Sequence, residues 1–259
     1  MIAAISPAVT EPTGPDMPSP PDKQSSVRTA ALGKSVASMG IATAADILAQ
    51  VTIPILLVRL LDDTGFGLYR TLWLVVSTLP GLLALGIPHS LSYFLPRSDR
   101  ARSSVYVLQA TLHMAGAGIV AGACTALFMW LQGDAHPLGW PAIIFVGLWV
   151  GTTVLDTLFI AQQAVPTQAK INLSFTALRV TVVLGAAAIW QAWWPVLIAH
   201  VAVACVKAIV FGIAARRYVG SARPGRDTLR EQYAYSLPVG ISGALYILRG
   251  RLDQWLVAS

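Results

Sequence analysis

From Lys34 onward, long apolar runs alternate with short polar breaks, and this pattern limits the fold more than any other feature of the chain. Seven candidate spans follow one another, at about 35–61, 66–95, 104–132, 139–163, 170–192, 195–215 and 237–259. At about 1.5 Å of rise per residue, each is long enough to cross roughly 30 Å of hydrocarbon. Backbone polar groups in lipid must find their partners within the segment, so spans of this length are helices. The expected fold is all-α, a polytopic membrane helix bundle of about seven transmembrane helices: one six-helix lobe plus the first helix of a second. Composition agrees: 55% of the 259 residues are hydrophobic and only 12% are charged, about half the charged share of a soluble domain.

Three regions follow from the pattern. Residues 1–33, rich in Pro, Ser and Thr and without a sustained apolar run, read as a disordered cytoplasmic tail. The opening MIAAIS lacks both the basic start and the apolar middle of a signal peptide. Residues 34–218 form the six-helix lobe, and 219–259 a cytoplasmic or interfacial linker with the truncated start of a second lobe. Within that last region TLREQYAYSLP (228–238) reads as an interfacial helix leading into the seventh span. The sequence stops at Ser259 without a polar ending, which reads as a truncation.

Basic residues fall in alternate connections. Lys23, Arg28 and Lys34 precede the first span; Arg97, Arg100 and Arg102 follow the second; Lys170 follows the fourth; Arg216, Arg217, Arg223, Arg226 and Arg230 follow the sixth. The other connections, LDDTG, QGDAHPLGWP and QAWWP, contain no Lys or Arg. The positive-inside rule then predicts a cytoplasmic N-terminus, with Asp134, His136, Trp140, Trp193 and Trp194 at the outer surface. The turn in VRLLDDTGFGLYR (58–70) lies at that surface, where Gly65 and Gly67 permit a reversal and Arg59 and Arg70 can snorkel or pair with the aspartates.

Ionisable groups inside spans are costly and therefore informative. Asp156, Arg179 and Lys207 each fall roughly 12–14 Å inside one boundary by helical rise, and His113 is at a similar depth. Two readings stand: a neutralised brace, with Asp156 pairing Arg179 or Lys207, or a polar network facing a cavity, to which Asp46 also contributes. His113 and His200 read as hydrogen-bonded packing residues. In the seventh span, ILRGRLDQW packs Arg249, Arg251 and Asp253 close together. Arg249 and Asp253 are four apart and can pair. Arg251 points roughly the other way and needs a water-filled cavity, an acid on another helix, or an anion; arginine's planar fork suits phosphate.

No catalytic motif stands out. Gly65-Phe66-Gly67 lacks the further residues of a phosphate loop. No His or Cys pair has metal-ligand spacing, and Cys124 and Cys205 lie within apolar runs as small buried hydrophobes. Neither a metal nor a cofactor is expected, and no soluble basic face is available for nucleic acid.

With those residues in view, VRLLDDTGFGLYR followed by LGIPHSLSYFLPR (85–97) resembles the first two spans of bacterial polysaccharide flippases, within the multidrug/oligosaccharidyl-lipid/polysaccharide exporter superfamily. LREQYAYSLPVGISGALYILRGRLDQWLVAS (229–259) resembles the start of that family's second half. The resemblance covers about 34–259, with specific motifs at the two ends and only hydropathy and length between them. It implies a flippase, not an enzyme, for a polyprenyl-pyrophosphate-linked oligosaccharide such as an O-antigen, lipopolysaccharide or exopolysaccharide unit. Its setting would be the bacterial inner membrane, with membrane lipids and other polysaccharide-assembly membrane proteins as partners. Such proteins pair two six-helix lobes around a central polar cavity. The related peptidoglycan lipid-carrier flippase has a cationic pair early in its first span, where this chain has Asp46 and Gln50, so that site does not carry over. The family's basic residues at the start of its second lobe match Arg249 and Arg251. The expected substrate-binding set is therefore Arg249, Arg251, Asp253, Arg179, Lys207, Asp46 and Asp156. The rival readings are a drug/cation antiporter using Asp46 and Asp156, a non-functional fragment, and, ranked low, a membrane glycosyltransferase or polymerase.

Overall fold

The computed structural model describes residues 23–131, 139–220 and 222–258, with side chains over 33–131, 139–220 and 222–251. Among these residues the chain is helical apart from short connections, with no strand. Helix α1 spans Lys23–Leu60, α2 Asp63–Leu83, α3 Ile87–Phe94 and α4 Arg100–Leu131. Then come α5 Gly139–Gly151, α6 Leu155–Ala161, α7 Val165–Trp190, α8 Trp193–Val219 and α9 Arg226–Ala258. Six helical stretches among the described residues are long and apolar enough to cross a membrane, α5 and α6 together making the fourth. The protein is an all-α polytopic bundle. Its outside is greasy, with Ile119 75% and Ile189 71% exposed, as lipid-facing positions should be.

Several expected elements differ in detail. Of the tail expected over 1–33, residues from Lys23 onward belong to α1 and the rest lie outside the described residues. The second expected span, 66–95, is two helices: Leu85 at φ 47° and Gly86 at φ 73° break it, and Pro88 starts α3. The fourth is interrupted at 152–154. Thr152 Oγ1 donates to Leu148 O at 2.8 Å, while Thr153 N, Leu155 N and Asp156 N bond three residues back rather than four. This tighter winding sets the direction in which Asp156 leaves the helix. The residues of the expected seventh span and of the interfacial segment before it form one helix, α9, running through Pro238. It is not among the six apolar stretches, because Arg249, Arg251 and Asp253 lie in its second half.

The expected reversal in VRLLDDTGFGLYR occurs at Leu61 and Asp62, before either glycine. Asp62 caps α2 by accepting from Gly65 N at 3.3 Å. Gly65 is needed for contact rather than for turning: a Cβ there would lie 2.7 Å from Asp62 Oδ1 and 3.2 Å from Trp193 Cβ. Arg59 and Arg70 are exposed and form no ion pair with the aspartates. Asp62→Ala should lower the thermal unfolding midpoint in detergent by the equivalent of about 0.5–2 kcal/mol, and Asp62→Asn should restore most of it. Trp140 and Trp194 meet edge-to-face at 6.3 Å, which brings the first turns of α5 and α8 together. Asp134 and His136 lie outside the described residues.

Close backbone approach holds the bundle where small residues allow it. In the stretch AGAGIVAGA, a Cβ on Gly118 would run into Gly147 O of α5, so α4 and α5 touch backbone to backbone. Helix α9 docks similarly, with Gly240 against Leu85 and Gly86 against Ser236 O. Its first half is then clipped by polar contacts. Tyr106 Oη donates to Glu231 at 2.7 Å, Gln109 Nε2 donates to Gly225 O at 2.9 Å, and Gln232 Nε2 donates to Ser90 Oγ at 2.9 Å. His113 Nε2 lies 3.0 Å from Leu83 O, an acceptor only, so that nitrogen carries a proton; the other, 2.7 Å from Tyr233 Oη, completes the packing role expected for His113.

Candidate functional site: a charged cavity within the bundle

A cavity of about 340 Å³ opens among α1, α2, α5, α6, α7, α8 and α9. Four residues expected as site candidates, three of them at one depth, meet there as two ion pairs. Arg179 Nη2 donates to Asp46 Oδ1 at 2.9 Å, and Lys207 Nζ donates to Asp156 at 3.0 and 3.1 Å. Of the two partners open to Asp156, the structure therefore pairs it with Lys207, and Arg179 goes to the first helix instead.

The pairs are lopsided. The side chains of Arg179 and Lys207 are 6% and 9% exposed, whereas those of Asp46 and Asp156 are 41% and 43% exposed. The cations sit behind and the carboxylates stand towards the open space. Aromatic faces replace water around the cations. Arg179 lies 5.5 Å from the centroid of Trp73 and 5.9 Å from that of Trp149, and Lys207 lies 5.0 Å from Trp149. Asp46 also accepts from Gln50 Nε2 at 2.7 Å and from Thr176 Oγ1 at 3.4 Å. Spacing explains this set: Gln50 is one helical turn beyond Asp46, and Thr176 and Arg179 are neighbours on one face of α7.

Arg251 lines the same cavity. Arg249 does not: it is exposed and borders an adjoining recess with Tyr246, Ile247, Ser77 and Arg251 itself. Side chains two residues apart on a helix point in roughly opposite directions, and of the two only Arg251 lines the central cavity. The Asp253 side chain lies outside the described residues. His200, expected as a packing residue, holds Val196 O at 2.9 Å and is ringed by Tyr69, Trp73 and Phe145.

Sequence reasoning missed Trp73, Trp149, Asn172 and Thr176 as cavity residues. A signal existed for the tryptophans. They fall in the middle of spans, away from the boundaries where membrane tryptophans concentrate. The polar residues could have been found by their helical spacing from Asp46 and Arg179, once the pairing was known.

The fold and cavity together define a polytopic membrane protein with a polar interior. The chain belongs to the family described as polysaccharide biosynthesis protein, whose model matches residues 32–259. No curated protein and no solved structure matches the chain.

Proposed function

We propose that the protein is a flippase that moves polyprenyl-pyrophosphate-linked oligosaccharide across the bacterial inner membrane, with its N-terminus cytoplasmic. Family membership supports polysaccharide biosynthesis as the process. The observation that carries the transport reading is the charged cavity inside an apolar bundle. Among the described residues, two acids and three bases line it. Five ionisable groups at one place in a bilayer are sustained by water access and by a role in passage. Arg251 is the group that attracts the pyrophosphate, through paired N–H donors. The carboxylates, Gln50 and Asn172 offer hydrogen bonds to sugar hydroxyls.

The test is cell-surface glycan export in cells whose own gene carries Arg251→Gln. Loss of a charge-assisted hydrogen bond of about 1.5–3 kcal/mol predicts at least about a tenfold fall in export rate. Unchanged export, with normal protein levels, would sink the assignment of Arg251. The outward-standing carboxylates favour one second reading, a drug/cation antiporter with Asp46 and Asp156 as coupling sites. Cation-dependent drug efflux without any glycan defect would support that reading instead.

A further inference from the structure

A second cavity, of about 500 Å³, lies at the end of the bundle between the turn that follows α3 and the helices α4, α6 and α8, and shares no lining residue with the central one. Arg100, at the start of α4, and Arg217, in the last turn of α8, both border it. Neither is ion-paired: the two ion pairs among the described residues are those of the central cavity. Gln162 also lines the space, and its Nε2 is buried with no acceptor. The neighbouring Gln163 is held at φ 60°, a conformation uncommon for a side-chain-bearing residue, in the turn that brings both glutamines to this wall. Ser98, Ser103, Ser104 and Tyr218 add further polar lining, and Leu95, Pro96, Val107 and Ala161 supply its apolar part.

Two unpaired guanidiniums and a buried amide donor without a partner call for an anion rich in acceptor oxygens. The apolar share of the wall, at the ends of helices that cross the bilayer, suits a ligand with a greasy body. We infer that this cavity binds the phosphodiester head group of an anionic phospholipid, with Arg100 and Arg217 gripping the phosphate and Gln162 Nε2 donating to it. Basic pockets between transmembrane helices take lipid head groups by the same physics.

The experiment is native mass spectrometry of the full chain purified with phosphatidylglycerol or phosphatidylcholine, together with the thermal shift each gives. Phosphatidylglycerol should be retained and phosphatidylcholine lost. At about fivefold per basic residue, Arg100→Gln with Arg217→Gln should weaken retention about thirtyfold. If that variant does not fold, Gln162→Leu keeps both arginines and should weaken retention about tenfold. Equal retention of the two lipids, or no change in either variant, would overturn the site. If inorganic phosphate at millimolar concentration reproduces the thermal shift of the lipid, the lipid assignment fails and a free-phosphate site replaces it.

Discussion

Asp46→Ala should destabilise the protein by about 3–5 kcal/mol, and Arg179→Met by much less. Removing one partner of a buried ion pair leaves the other charge uncompensated, and that residual charge sets the cost. Here the two residues are not equally buried. Arg179 is 6% exposed at its side chain and has a further buried donor, Nε, without a partner. Without Asp46 it would remain a cation enclosed by Trp73 and Trp149, whose faces return only about 0.5–2 kcal/mol each. Asp46, by contrast, is 41% exposed towards the cavity and keeps Gln50 and Thr176 as donors. Water can solvate it when Arg179 is gone. Thermal unfolding in one detergent, run on both single variants and the double, measures the difference. The double should resemble Arg179→Met, because no buried charge is left behind. Equal costs for the two single variants would show that the cavity is not the open side of the pair.

The second large effect concerns how α9 is held. Gly240→Ala should separate α9 from the α2–α3 turn and lower stability by about 1–3 kcal/mol. The added methyl would run into the carbonyl carbon, the oxygen and the Cα of Leu85, which are backbone atoms and cannot rotate aside. Gly86→Ala meets the same contact from the other side, 2.5 Å from Ser236 O. It adds about 1–2 kcal/mol because Gly86 sits at φ 73° in the left-handed region. Gly243→Ala in the same helix is the control. Nothing lies within 4 Å of a Cβ there, so up to about 1 kcal/mol of helix propensity should be gained. Limited proteolysis between 222 and 225 should become faster in Gly240→Ala and Gly86→Ala and stay unchanged in Gly243→Ala. Faster cleavage in all three, or in none, would refute the close-crossing account. The polar clip of Glu231, Gln232 and Tyr233 gives the crossing its register, so its loss should carry Arg251 away from the cavity as well.

Much of this architecture was legible before any coordinates. A chain that is 55% hydrophobic and 12% charged, with apolar runs of membrane-spanning length, has one class of solution, because lipid leaves unpaired backbone groups no partner. Hydropathy located the six apolar spans, and helical rise put Asp156, Arg179 and Lys207 at one depth. The same rule could not find the breaks at 84–86 and 152–154, since these depend on short-range hydrogen bonds within otherwise apolar runs. It also could not separate the roles of Arg249 and Arg251. Their spacing says that they face apart, but not which one faces inward.

What the sequence determined by itself was the class, the spans and the list of charges that must be accommodated, because length and hydrophobicity are local and additive along the chain. Only the tertiary structure decided who pairs with whom. Asp46 and Arg179 are 133 residues apart and Asp156 and Lys207 are 51 apart, distances across which one sequence carries no periodic signal. The rotation of each helix about its own axis settles those contacts, and it is fixed by packing between helices distant in sequence, α1 along α7 and α7 along α8. That packing turned a list of costly charges into two pairs with buried cations, open carboxylates and one arginine on the same cavity wall.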